Sequence, residues 1–169
     1  QVDSTFNVRV NISTTELQNL ELIEHVRDIL RETGVDASNL IVELTESMAV
    51  NGGDVDQYSL NGLRRLGVQL EIDDFGTGYS SISYLRKLPV NVVKIDRSLI
   101  SGLGDDEQQR DFVAAVLHLI HACGLKALAE GIETPEQADI LREMGCGSGQ
   151  GYYFGRPAPA ADIVALMNR

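Results

Sequence analysis

"LEIDDFGTGYSS", residues 70–81, joins an apolar run to two adjacent aspartates and then to a glycine-rich turn carrying a tyrosine and two serines. Successive side chains of a strand point to opposite faces, so Val68, Leu70 and Ile72 share one face while Glu71 and Asp73 share the other. A strand that is apolar on one side and ends in acidic residues fits a parallel α/β architecture, where ligands gather at the carboxyl ends of the strands. The pair Asp73 and Asp74 also poses an electrostatic question. Adjacent carboxylates raise each other's pKa, so keeping both ionised calls for a cation or for good solvation.

The same parity recurs on either side of this stretch. In "FNVRVNIS" (6–13), Phe6, Val8, Val10 and Ile12 oppose Arg9 and Asn11; in "LIVELTES" (40–47), Leu40, Val42 and Leu44 oppose Ile41 and Glu43. Lys94 in "NVVKID" and Glu130 in "KALAEGI" fall at comparable places. Strands are predicted over Phe6–Ile12, Leu40–Thr45, Val68–Asp73, Val92–Ile95, Lys126–Glu130 and Gly147–Tyr152. Helices are predicted over Thr15–Arg31, Asp54–Leu66, Ser80–Lys87, Glu107–Ala122, Pro135–Met144 and Ala160–Met167. Their starts carry capping boxes, Ser13 with Glu16 and Thr134 with Gln137, the second followed by Pro135 at the favoured first helical position. Gly34, Gly67, Gly124 and Gly145 stand where helices end. Strict alternation of strand and helix predicts a parallel sheet of about six β/α units.

Composition narrows the function classes. With 169 residues and 43% hydrophobic content, the chain can bury a sizeable core as one domain or part of a larger one. Its longest apolar stretch, near Phe112–Leu125, is interrupted by His118 and His121 and is too short and polar to cross a bilayer. No targeting segment is apparent, and Cys123 and Cys146 form no CxxC pair, so a cytoplasmic setting is expected. A formal charge of -11 argues against a DNA or RNA polymer as partner. Beginning at Gln1 rather than Met, the sequence reads as a fragment of a longer chain.

Asn11, Glu43, Asp73, Asp74 and Glu130 supply hard oxygen donors at strand ends, of the kind that suits Mg²⁺ or Mn²⁺. Two such ions, one carboxylate bridging them, would neutralise the aspartate pair. The bland alternative is a rim of solvated charges, common in acidic proteins. Lys94 reads either as a salt-bridge partner or as a donor orienting water and stabilising phosphate charge. Gln150, in "GSGQGYYFGRP", reads as a loop amide or as a group holding water or substrate. Glu46 either caps the segment after the second strand or fastens the "FGTGYSS" loop. Arg9, Glu71 and Lys126 suggest an ion-paired layer deeper in the fold. "DFG" at Asp74–Gly76 lacks the other kinase motifs, and no phosphate-loop motif occurs.

Together "VNIS", "VELTES", "DDFGTGYSS", "VKIDRSLI", "AEGIET" and "QGYYFGRP" resemble, in order and spacing and over essentially the whole chain, the EAL-domain cyclic di-GMP phosphodiesterases. The resemblance implies a TIM-like (β/α) barrel, here incomplete, and metal-dependent hydrolysis of cyclic di-GMP to linear 5′-pGpG with Mg²⁺ or Mn²⁺ in bacterial signalling. It implies that Asn11, Glu43 and Asp73 ligate one ion and that Asp73, Asp74 and Glu130 hold a second. Lys94 would position the attacking water, Gln150 would join the water and substrate network, and Glu46 would anchor the loop Phe75–Ser81, which also helps form a homodimer. Glu130 stands equally as metal ligand or general base. The Glu-Ala-Leu strand that names the family, with a ligating glutamate and a substrate-binding arginine, belongs upstream of Asn11 and is not in this sequence. A longer parent, with sensory or GGDEF-type domains or a membrane tether, is therefore expected. The competing reading is an inactive domain that binds cyclic di-GMP as a receptor, or one that only dimerises.

Overall fold

A computed structural model describes residues 6–51, 54–77, 85–104, 106–160, 162 and 163. Its strands are β1 (Val8–Asn11), β2 (Leu40–Thr45), β3 (Gln69–Phe75), β4 (Val92–Ile95), β5 (Lys126–Ala129) and β6 (Ser148–Gly149). They form one sheet in the order β1-β2-β3-β4-β5-β6, each neighbour parallel to the next. A doubly wound sheet reverses its strand order at a switch point, whereas this order advances one strand at a time in one direction. With right-handed crossovers, steady advance curls the sheet into a barrel wall. The six strands build that wall as an open, incomplete TIM-like barrel, as the sequence predicts.

The helices are α1 (Thr14–Leu17), α2 (Leu22–Thr33), α3 (Glu46–Asn51), α4 (Asp54–Leu66), α5 (Arg97–Ile100), α6 (Glu107–Ala122) and α7 (Pro135–Glu143). Val42, Leu44, Leu70, Ile72, Val93, Ile95, Ala127 and Ala129 form the outward row of the sheet. They join Leu60, Leu63, Ile100, Val113, Leu117, Ile120 and Leu141 of the helices in one buried cluster. Both predicted capping boxes are present, at Ser13–Glu16 and Thr134–Gln137. Among the described residues, no helix is long and apolar enough to cross a membrane.

Two differences from the sequence-based expectation have local causes. The single helix expected over Thr15–Arg31 is two, because the Asn19 side chain accepts from Glu21 N–H at 3.0 Å and Leu22 N–H bonds to Asn19 C=O at 3.1 Å. An asparagine that captures nearby backbone in this way competes with the helical ladder. The last strand shrinks from Gly147–Tyr152 to Ser148–Gly149, since the chain turns at Gly151–Phe154, where Phe154 N–H bonds to Gly151 C=O. Val8 and Val10 of β1, the first strand of the incomplete barrel, are 46% and 48% exposed. The helix predicted over Ser80–Lys87 and most of that over Ala160–Met167 lie outside the described residues.

Candidate metal centre and active site

Register brings the predicted site residues to one face. Asn11 lies opposite Glu43, Glu43 opposite Glu71, and Glu71 opposite Val92. Lys94, two residues past Val92, lies opposite Leu128, which itself lies opposite Ser148. Parity repeats every two residues, so Asn11, Glu43, Asp73, Lys94, Glu130 and Gln150 all fall on the interior side at or just beyond the carboxyl ends of their strands.

Lys94 is the hub of this group. Its ammonium lies 2.7 Å from Glu43 Oε1, 2.9 Å from Asp73 Oδ1 and 2.8 Å from Glu130 Oε1, and its side chain is only 4% exposed. Burial works against its charge, but hydrogen bonds to Glu130, Glu43 and Asp73 outweigh burial and hold the lysine above its ordinary pKa. Glu130 is shifted up too, first by burial and then by Asp73 and Glu43, with Lys94 opposing. Both shifts express one fact: several carboxylates share a single ammonium, so negative charge is in surplus. The Gln150 amide donates to Glu130 Oε1, and its backbone N–H bonds to Ala129 C=O at 2.8 Å. That backbone fit requires glycine next door, because a Cβ on Gly151 would meet Ile132 O at 2.1 Å.

Asp74 is the residue whose placement parity alone would get wrong. Alternation sends it away from Asp73, yet one carboxylate oxygen each from Asp73, Asp74 and Glu130 lie within 4.8 Å of one another. Two features turn it back. The β3–β4 register shifts between Ile72 and Phe75, and Asp74 takes a left-handed backbone with φ 56°. Bulges of this kind re-aim a side chain beside active sites. The carboxyl of Asp74 is raised by burial, then by Asp73 and by Asp96, the residue that caps α5. Asp96 as an electrostatic neighbour carries no signal in the sequence beyond its place after strand β4.

Glu46 opens α3 and is buried, and its Oε2 accepts from Gly76 N–H at 3.1 Å. It therefore fastens the first residues of the glycine-rich loop; residues 78–84 of that loop lie outside the described residues. Deeper on the interior face, Arg9 bonds Glu71 through Nε at 2.9 Å and Nη2 at 3.2 Å. Lys126, expected to join that layer, is the first residue of β5 and is exposed there, where water solvates its ammonium.

The donor set fits a hard divalent cation. Asp73, Asp74 and Glu130 converge, and Asn11 stands at the register level of Glu43. The buried Glu43 Oε1 faces the Lys94 ammonium at 2.7 Å, and that one ammonium is shared with Asp73 and Glu130, so the carboxylates outnumber the cation that meets them.

Fold and site thus define a parallel β/α-barrel protein with an acidic, oxygen-rich centre at its strand ends. The chain belongs to the EAL domain family, whose profile matches residues 1–157. Over 162 residues it is 41% identical to the bifunctional diguanylate cyclase/cyclic di-GMP phosphodiesterase MucR of Pseudomonas aeruginosa, covering 96% of this chain and 24% of that protein. The chain therefore spans about a quarter of the length of this relative. The PaMucR phosphodiesterase in complex with c-di-GMP superposes with TM-score 0.86 at 41% identity, covering 93% of this chain and 64% of that one. Klebsiella pneumoniae BlrP1 in its manganese/cy-diGMP complex gives TM-score 0.83 at 29% identity, covering 90% and 39%.

Proposed function

We propose that this chain is the phosphodiesterase domain of a bacterial signalling protein that hydrolyses cyclic di-GMP to linear 5′-pGpG. The observation that carries the reading is the convergence of Asp73, Asp74 and Glu130 beside a buried Lys94. Asn11, Glu43, Asp73, Asp74 and Glu130 would hold Mg²⁺ or Mn²⁺, two ions with Asp73 shared. Bound there, the metal would supply an activated water and neutralise phosphate charge.

The protein's own groups have distinct tasks. Lys94, held in its charged form by Glu130, Glu43 and Asp73, would position the attacking water and lend positive charge near the phosphate oxygens during in-line attack. Its three carboxylate partners fix that ammonium, so little reorganisation is needed. Glu130, raised toward its neutral form by burial and by Asp73 and Glu43, is suited to take a proton from the attacking water if it is not engaged as a ligand. Gln150 donates to the same Glu130 oxygen that faces Lys94 and would join the water and substrate network there. Beside it opens a cavity of ≈ 460 Å³ lined by Arg97, Glu133, Tyr152 and Arg156, with the Arg156 guanidinium 4.4 Å from the Tyr152 ring centre. Cations and an aromatic face there suit a nucleotide's phosphates and base.

Beyond catalysis, the reading includes a homodimer formed through the Phe75–Ser81 loop and a longer parent carrying regulatory domains. The relative's name, which pairs this activity with a diguanylate cyclase, supports the latter. Chromatography of cyclic di-GMP incubated with the chain and Mg²⁺ or Mn²⁺ tests the assignment. Appearance of the linear dinucleotide is expected. Tight binding of the nucleotide without product would instead assign a receptor, and neither binding nor product would remove both.

A further inference from the structure

Arg9 and Glu71 form a second charged layer on the interior face, two residues before Asn11 on β1 and two before Asp73 on β3. Their ion pair therefore crosses the whole of strand β2, joining positions 62 residues apart in sequence. The guanidinium reaches both oxygens of the carboxylate, through Nε at 2.9 Å and Nη2 at 3.2 Å, and Glu71 is 1% exposed. Arg9 Nε also lies 3.8 Å from Glu43 Oε1, the buried oxygen that faces Lys94 at 2.7 Å.

The fork joins β1 to β3 across β2, the three strands that carry Asn11, Asp73 and Glu43, so a shift of β1 against its neighbours would strain the fork and move Asn11 relative to Glu43. Stability alone gives a weak reason for the pair, since apolar residues of similar volume often replace a buried ion pair at no cost. A bidentate fork does something apolar packing does not: it fixes distance and orientation together.

We infer that Arg9, clamped by Glu71, is a positioning residue that sets Asn11 and Glu43 against the cation site. The inference rests on the cation reading proposed above. Because the pair is neutral as a unit, Arg9→Met with Glu71→Leu removes the fork while leaving the net charge unchanged.

The test is Mn²⁺ titration of the whole chain, free Mn²⁺ being read by electron paramagnetic resonance, with amide hydrogen exchange on the same samples. The double variant is expected to stay folded with a melting temperature near that of the wild type, yet to bind Mn²⁺ about tenfold or more weakly. Exchange at the Ile12 amide, which bonds Glu43 C=O at 3.0 Å, should quicken. Wild-type Mn²⁺ affinity in the folded double variant overturns the positioning role and leaves the cation reading standing. A wild-type chain that binds no Mn²⁺ overturns both. Should the double variant not fold, Arg9→Lys decides: a single ammonium cannot hold both oxygens, so severalfold weaker Mn²⁺ binding is expected, and unchanged binding overturns the role.

Discussion

Lys94 and Arg9 are both cations on the interior face of the same barrel wall, and they keep different company. Arg9 hydrogen-bonds one carboxylate, Glu71, twice and lies farther from Glu43, at 3.8 Å, so with Glu71 it makes a balanced pair. Lys94 meets Glu43, Asp73 and Glu130 with one ammonium, and Asp74 stands close by with no ion pair of its own among the described residues. The lower layer is neutral and the upper layer is in deficit by several charges. Of the surplus acids Glu43 is buried, Asp73 and Glu130 are half-buried and Asp74 is exposed; a surplus converging on one point is where a further cation would fit, whereas a balanced pair marks support.

The contrast is broken most sharply at Asp73. Asp73→Asn removes a shared ligand and a Lys94 partner, and turnover of cyclic di-GMP should fall about a thousandfold or more while circular dichroism stays unchanged. Activity within tenfold of the wild type would show that the surplus is incidental.

Lys94→Ala should also abolish turnover and, in EDTA, cost about 3–5 kcal/mol in chemical denaturation, because buried carboxylates are left facing one another. Added Mn²⁺ should restore part of that stability, since it supplies the missing positive charge. The same measurement on Arg9→Met sharpens the comparison. It should cost about 3 kcal/mol by stranding Glu71, with no special rescue by Mn²⁺, and the added Glu71→Leu change should recover most of the loss.

Glu46→Ala has a smaller expected effect, about 1–3 kcal/mol, as Gly76 N–H loses a charged acceptor in a partly buried place. Faster amide exchange at Gly76 would be its direct sign. The gentlest probe is pH. Glu130 and Asp74 have folded pKa values raised above the ordinary carboxylate range, so the folded state binds protons more tightly than the unfolded chain. Their contribution is full below about pH 4 and is lost as pH rises through the raised values. Lys94, raised from 10.5, contributes a constant amount in that window. The metal-free chain should therefore lose melting temperature from this source as pH rises above about 4 and through the raised values, and Glu130→Gln should flatten the slope.

Much of the barrel was legible because its signals are local. Alternation over two residues marks Val42 and Leu44 against Glu43, and capping boxes over three residues mark the starts of α1 and α7. The break at Asn19 was equally local but was masked by apolar spacing that continues through it. At the site, residue identities were readable and their assembly was not. Asp74 lies on the wrong side by alternation, and a bulge set by the β3–β4 register turns it back. Lys126 matches the charge of the inner layer but emerges into solvent at the start of β5.

By itself, the sequence determined the succession of strands and helices, the apolar and polar rows, and the oxygen donors at the strand ends. These arise from backbone sterics and burial acting over two to four neighbours. Only the tertiary structure decided that Lys94 joins three carboxylates, that Asp74 turns toward Asp73 and Glu130, and that Arg9 reaches Glu71 across β2. Apart from the neighbours Asp73 and Asp74, those contacts join residues 21 to 62 positions apart, and they depend on strand register, which is fixed only when the barrel wall packs against its helices.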